Sequence, residues 1–365
     1  MLKKPAENPD LIGHKTAETQ FLDSWNSGRL PHAWLIGGPE GSGKATLAFR
    51  IARFVLSQKI KNLEGQEKKK LFREENLAKS LHIGPKDPIF PRVASGGHSD
   101  LKILKRSINS DRSKTKNSIS VEDVRLCGTF LRLTSTGNGF RVLIIDSVDE
   151  LTINAANALL KILEEPANGV LILIVCHNPY LLLPTIRSRC CQLNLKPINS
   201  EQIKSFLSSS LPSLNLSDID ALTMLSEGRL GRALRIYEED GLLLLKELII
   251  LLSHFPKISI PDLHVFAEKL SRNGAENSFK LTMSLFSSWL SHLIKGTFYQ
   301  SDTPIQVFQE ELGCGERIIQ ATGVEFLINL WDRVNSVSEK TIRQNLDRKH
   351  AFLAMFETLG GSTFD

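Results

Sequence analysis

The string Gly38-Pro39-Glu40-Gly41-Ser42-Gly43-Lys44-Ala45-Thr46 constrains this chain more than any other feature. It follows a short apolar run, Ala33–Gly37, and opens a helix-periodic stretch from Lys44 to Leu56. Gly38, Gly41 and Gly43 let the backbone curl so that N–H groups and a helix N-terminus face an anion, and Lys44 supplies charge for a phosphate. Strand, glycine-rich loop and helix in this order make a phosphate-binding loop. One position departs from the pattern. The residue after the lysine should carry a hydroxyl for Mg²⁺, and it is Ala45. Thr46 follows, but one step along a helix is a rotation of about 100°, so it cannot simply take over. A loop kept only as a tight structural turn is the alternative.

Arg141–Asp146 (RVLIID) has the apolar character of a buried strand and ends in an acid able to reach Mg²⁺ through water. In a hydrolase of this design a glutamate follows and polarises the attacking water. Here the next residue is Ser147, with Asp149 and Glu150 further along the loop. Two departures, at 45 and 147, point away from hydrolysis. A helix cap or a loop hydrogen bond is the plainer role for Asp146.

The segments around these motifs alternate between strand and helix patterns. Ser120-Val121-Glu122-Asp123 reads as a capping box that starts a helix. Asn154–Glu165 is a helix stopped by Pro166, Gly169–Cys176 a buried strand, Pro179–Arg189 a helix and Cys190–Leu195 a last strand. Strands this apolar, separated by helices, predict a parallel sheet covered on both faces. Residues 59–119 interrupt the pattern and read as an insertion or long loop. Its part from Lys102 to Lys116 carries Lys102, Lys105, Arg106, Arg112, Lys114 and Lys116 against Asp111 alone. A solvated loop and a site near DNA phosphates are its two readings. After Pro197 strand signals stop. Three short helices are expected over 199–239, the first with Asn199 and Gln202 as a capping pair. Amphipathic helices such as Phe279–Ile294 and Val324–Val337 follow.

Composition narrows the function classes. At 365 residues the chain suits two or three domains of about 150 residues. The net charge of +5 permits a nucleic-acid neighbourhood without requiring one. No apolar stretch approaches the roughly 18–20 residues of a membrane span, and the amino-terminal sequence has no signal-peptide core, so a cytoplasmic protein is expected. The five cysteines are odd in number and scattered, which argues against a disulfide framework.

Taken together and in order, the loop, the acidic strand end, Asn154–Pro166 (NAANALLKILEEP) and Thr185-Ile186-Arg187-Ser188-Arg189-Cys190 are specific. On these motifs the chain resembles the clamp-loader branch of the AAA+ ATPases. The resemblance is strongest over 31–56 and 140–197 and only architectural after 240. It implies an α/β P-loop domain over 1–197 with the insert 59–119, a small helical lid over 198–240 and an all-helical collar over 241–365. It also implies that Arg189, flanked by Ser188 and Cys190, reaches ATP bound to a neighbouring subunit as a trans arginine finger. An exposed helix-end arginine is the plainer alternative for Arg189. In hydrolysing members a nucleotide-sensing arginine sits in the second domain. The matching stretch here, Gly228-Arg229-Leu230-Gly231-Arg232-Ala233-Leu234, has Gly231 in that place, with Arg229 and Arg232 nearby.

These departures, beside an intact Ser188-Arg189-Cys190, imply a non-catalytic stator of the bacterial DNA polymerase III loader. Its role would lie in DNA replication, with little or no ATPase activity of its own. An ATP-hydrolysing loader subunit or an independent P-loop ATPase is the alternative. The implied partners are the ATPase subunits, the delta subunit, the sliding clamp and primed DNA, with no membrane. ATP or ADP would sit, if at all, in a degenerate pocket formed by Gly38, Gly41, Gly43, Lys44, Ala45, Thr46 and Asp146. Relatives often carry a cysteine zinc module in the insert. Here His82 and His98 stand there without a cysteine, so no zinc is expected.

Overall fold

The computed structural model of the chain describes residues 3–58, 77–106, 118–136, 139–255, 258–272, 274–299 and 314–360. Five parallel strands form one sheet: β1 (Ala33–Gly37), β2 (Leu101–Leu104), β3 (Arg141–Asp146), β4 (Val170–Cys176) and β5 (Cys191–Asn194). Their order across the sheet is β2-β3-β4-β1-β5. Register sets Ala33 opposite Ile172, Trp34 opposite Cys191 and Arg141 opposite Val170. β1 and β4 are buried along their whole length, which is why they read as unbroken apolar runs. Successive side chains serve opposite faces. Trp34, Ile36, Val142 and Ile144 pack with Phe21, Trp25, Leu47, Ile51 and Phe54 from the helices Lys15–Asn26 and Lys44–Ser57. Leu35, Leu143, Ile145, Ile172 and Ile174 pack on the other face with Val124, Cys127, Leu159, Leu163 and Ile186.

Helix starts follow local chemistry. Ser120 and Asp123 form the expected capping box at the helix Val121–Arg132. Thr152 caps Ile153–Glu164, whose end is set by Pro166, since a residue before proline avoids the helical region. The helix expected over Pro179–Arg189 is only Pro184–Arg187 long, because Leu183 precedes a proline and is held extended. The expected loop over 59–119 is also partly structured. It contains the helix Ile89–Ala94 and the edge strand β2, which pairs Leu101–Leu104 with Val142–Ile145. Four residues with an exposed Lys102 leave too little apolar signal to register as a strand. Of the basic run, Arg112, Lys114 and Lys116 lie outside the described residues; Arg106 pairs with Glu150 at 2.8 Å.

The chain divides into two compact units, Met1–Gln202 with Arg229–Gly231, and Ile203–Gly228 with Arg232–Asp365. The second unit is helical among its described residues. Phe266, Phe352, Phe356, Phe286 and Trp289 run through its core as a chain of ring contacts 5.0–6.2 Å apart. These rings tie together the helices Ile260–Ser271, Glu276–Tyr299 and Arg348–Gly360. Among the described residues no helix is long and apolar enough to cross a membrane.

Candidate functional site

The glycine-rich loop leaves β1 at the carboxyl edge of the sheet and turns into the helix Lys44–Ser57. This is where ligands bind in open parallel sheets. Gly38, Gly41 and Gly43 all have positive φ. Gly38 also passes so close to β5 that a Cβ there would stand 2.9 Å from the Leu195 carbonyl oxygen. The loop therefore has the curled backbone of a phosphate cradle. Its lysine is engaged elsewhere. Lys44 is buried, and its Nζ donates to the carbonyls of Gly38 and Pro39, both at 2.6 Å. Burial pushes its amine down to about 8, against the opposing pull of Asp149, Glu40, Cys176 and Asp146. Ala45 offers no oxygen. The backbone fits a phosphate, but the side chains do not provide the usual Mg²⁺ hydroxyl.

Asp146 ends β3 beside the loop, and burial raises its carboxyl above the ordinary range while His177, Lys44 and Lys105 oppose the shift. Ser147 is buried with its Oγ unpartnered among the described residues. Neither acid further along replaces the missing glutamate. Asp149 accepts from the backbone N–H groups of His177 (2.6 Å) and Asn178 (3.1 Å) and so bolts the loop after β3 to the end of β4. Burial works against its charge, but those bonds outweigh it and hold the carboxyl low. Glu150 is paired with Arg106, and burial still draws its carboxyl upward.

Sequence reasoning missed a wall of this site. Arg53, fully buried, donates to the carbonyls of Ala6 (2.8 Å) and Asn8 (2.7 Å), and Arg50 holds the Pro9 carbonyl and Glu18. These bonds clasp the amino-terminal segment against the helix that follows the loop. The segment then lays Leu11 and His14 against Gly43, and His14 Nε2 donates to the Ser42 carbonyl at 2.8 Å. Burial lowers the His14 pKa despite that bond and nearby Glu18, so the ring is a neutral donor near pH 7. Two arginines three positions apart, Arg50 and Arg53, in the otherwise apolar stretch Leu47–Leu56 were the available signal.

Gly231 belongs to the same compact unit as the loop. Its N–H donates to the Gly41 carbonyl at 2.8 Å, and a Cβ at 231 would lie 2.9 Å from both Gly41 Cα and its oxygen. Position 231, where the resemblance implies an arginine in hydrolysing members, therefore has no room for a side chain unless the backbone shifts. Arg232 does not compensate. Within the second unit it pairs with Glu227 at 3.1 Å and donates to Ser288 Oγ at 2.6 Å, while Ser288 donates to Glu227. Arg229 has a contact of its own as well.

The third motif lies at the end of the short helix Pro184–Arg187. Ser188 Oγ donates to the Thr185 carbonyl at 3.1 Å. Arg189 keeps 36% of its side chain exposed. Its Nη1 donates to the Thr185 carbonyl at 2.8 Å, and its Nη2 lies 2.8 Å from Glu164 Oε1. This is the helix-end arrangement that the plainer alternative for Arg189 describes, with an ion pair added. Cys190 packs against the core beneath, and burial, with Cys191 adding to it, pushes its thiol up to about 12, so it stays protonated. Among the described residues no group of three His, Cys, Asp or Glu side chains is placed to hold a metal ion.

Residues 13–199 match the protein family described as "DNA polymerase III, delta subunit". DNA polymerase III subunit delta' of Pseudomonas aeruginosa is 30% identical over 220 residues, covering 60% of each chain. DNA polymerase III subunit gamma of Buchnera aphidicola is 30% identical over 244 residues, 65% of this chain and 58% of that protein. DNA polymerase III subunit delta' of Bacillus subtilis is 28% identical over 191 residues, 51% of this chain and 49% of that one. The chain thus spans three-fifths or less of the length of these relatives.

Proposed function

The chain belongs to the DNA polymerase III delta-subunit family, and from that premise we propose that it is a clamp-loader stator of the delta-prime type. It serves DNA replication in the cytoplasm, assembled with ATPase subunits and a delta subunit that together load a sliding clamp onto primed DNA. The lid is assigned to 198–240 and the collar to 241–365. Its own P-loop does little or no hydrolysis, and Arg189 acts on ATP held by a neighbouring subunit.

One contrast carries the reading. The chain's own site has Lys44 turned onto loop carbonyls and no space at Gly231, whereas Arg189 stands on the surface within an intact Ser188-Arg189-Cys190. An arginine suits that task because it stays charged and its planar fork can bridge two phosphate oxygens. A hydrolysing subunit would need the hydroxyl at 45, the glutamate at 147 and the arginine at 231, and none is present.

The test is Arg189→Ala in the reconstituted loader. Arginine fingers are worth about 10³–10⁵ in rate at a single site, and several sites act in a loader, so total DNA-stimulated turnover should fall by less than that. Assembly, followed by native mass spectrometry, should be intact, and Arg189→Lys should rescue poorly. Wild-type hydrolysis and clamp loading by an assembled Arg189→Ala complex would show that Arg189 is only a surface residue.

A further inference from the structure

The end of the helix Ile153–Glu164 breaks a local rule. Glu164 and Glu165 stand at its carboxyl terminus, where the helix dipole favours cations and disfavours acids. Such departures are expected where a residue serves something other than the stability of its own element. Glu164 is not short of nearby cations. Lys161 stands one turn earlier, and Lys161 and Arg132 line the same surface cleft as Glu164. The carboxylate instead reaches Arg189, 25 residues on in the sequence, at 2.8 Å.

The guanidinium is thereby held at two points on two different elements. Nη1 is fixed by the Thr185 carbonyl of the short helix and Nη2 by Glu164 at the end of the long one. Two anchors set the plane of the fork, and with five N–H donors available the group keeps others for a ligand. Both side chains are partly exposed, at 36% and 47%, so the pair adds little to the stability of the fold. Its consequence is geometric.

We infer that Glu164 is the positioning residue for Arg189, holding the guanidinium pre-aimed at a nucleoside triphosphate bound by the adjoining subunit. The inference rests on the trans-finger reading above and adds to it the residue that makes the finger rigid. A freely rotating arginine would have to be ordered at each encounter, whereas an anchored one has already given up that freedom.

The experiment is a double-mutant cycle in the reconstituted loader: wild type, Arg189→Ala, Glu164→Ala and the pair. Glu164→Ala should lower the Arg189-dependent part of kcat about 3- to 10-fold. That range starts within the ~1.5- to 5-fold worth of an exposed ion pair and stays well below the ~100-fold cost of a 1 Å misplacement. KM for ATP should not move. In the Arg189→Ala background Glu164→Ala should add nothing. Glu164→Gln, which keeps an acceptor oxygen without the charge, should recover part of the loss and keeps the test open if Glu164→Ala fails to assemble.

A slow Arg189→Ala loader beside a full-rate Glu164→Ala loader overturns the positioning role and leaves the finger standing. An equal loss from Glu164→Ala in both backgrounds overturns it too, because the effect then bypasses Arg189. A full-rate Arg189→Ala loader overturns the finger and the positioning role together.

Discussion

Lys44 is turned away from the part a phosphate-loop lysine usually plays, and its protonation makes a measurable prediction. Burial lowers its pKa from 10.5 to about 8. Below pH 8 the amine is charged in both folded and unfolded chains, and folding bears the full cost of burying that charge. Between pH 8 and 10.5 the unfolded chain binds more protons than the folded one, so stability rises with pH. Above 10.5 the amine is neutral in both states and the cost is gone. The whole rise corresponds to about 3 kcal/mol. Lys44→Met removes the titrating group, so its stability should lack this component of the pH profile.

The assay is urea unfolding of the wild type and Lys44→Met from pH 7 to 10.5. Trp289 and Trp331 are replaced by phenylalanine in both chains, so fluorescence reports Trp25 and Trp34, which lie in the core beside the loop's helix. The difference in unfolding free energy should grow in favour of the wild type, most steeply between pH 8 and 10.5. Parallel profiles would mean that Lys44 is as solvated as an ordinary lysine. The account of an inward-turned side chain would then be wrong.

Two other outcomes are expected. Gly231→Ala should destabilise the first unit by about 1–3 kcal/mol in the same unfolding assay, because its Cβ would meet Gly41 Cα and oxygen at 2.9 Å, backbone that must shift to admit it. The purified chain should release phosphate from ATP at no more than a trace rate; turnover comparable to that of the assembled loader, abolished by Lys44→Ala, would refute this.

Much of the architecture could be read from the sequence because the signals are local. β1, β3 and β4 are runs of buried apolar residues, and the capping box at Ser120 and the stop at Pro166 are chemistry within a few residues of a helix end. β2 escaped because an edge strand of four residues has one neighbour and leaves Lys102 in water. The short Pro184–Arg187 helix was over-extended because the leucines before it are apolar enough to suggest a helix. Leu181 is in fact 83% exposed, and Leu183 is restrained by the proline after it.

By itself, the sequence determined which chemical groups this protein owns and which it lacks. It has a curled glycine loop with a lysine, and an arginine between Ser188 and Cys190. It has no hydroxyl at 45, no glutamate at 147 and no arginine at 231. Those are properties of single residues, and no fold can supply an absent oxygen. Tertiary structure decided what each group faces. Lys44 meets its own loop's carbonyls, Gly231 lies on Gly41, Arg53 clasps the amino-terminal segment and Glu164 holds Arg189. Lys44 reaches carbonyls five and six positions back, but the other three sets of partners, 25 to 190 positions apart, are brought together by packing and not by any local preference. A buried polar group must then take whichever donor or acceptor that packing leaves within reach.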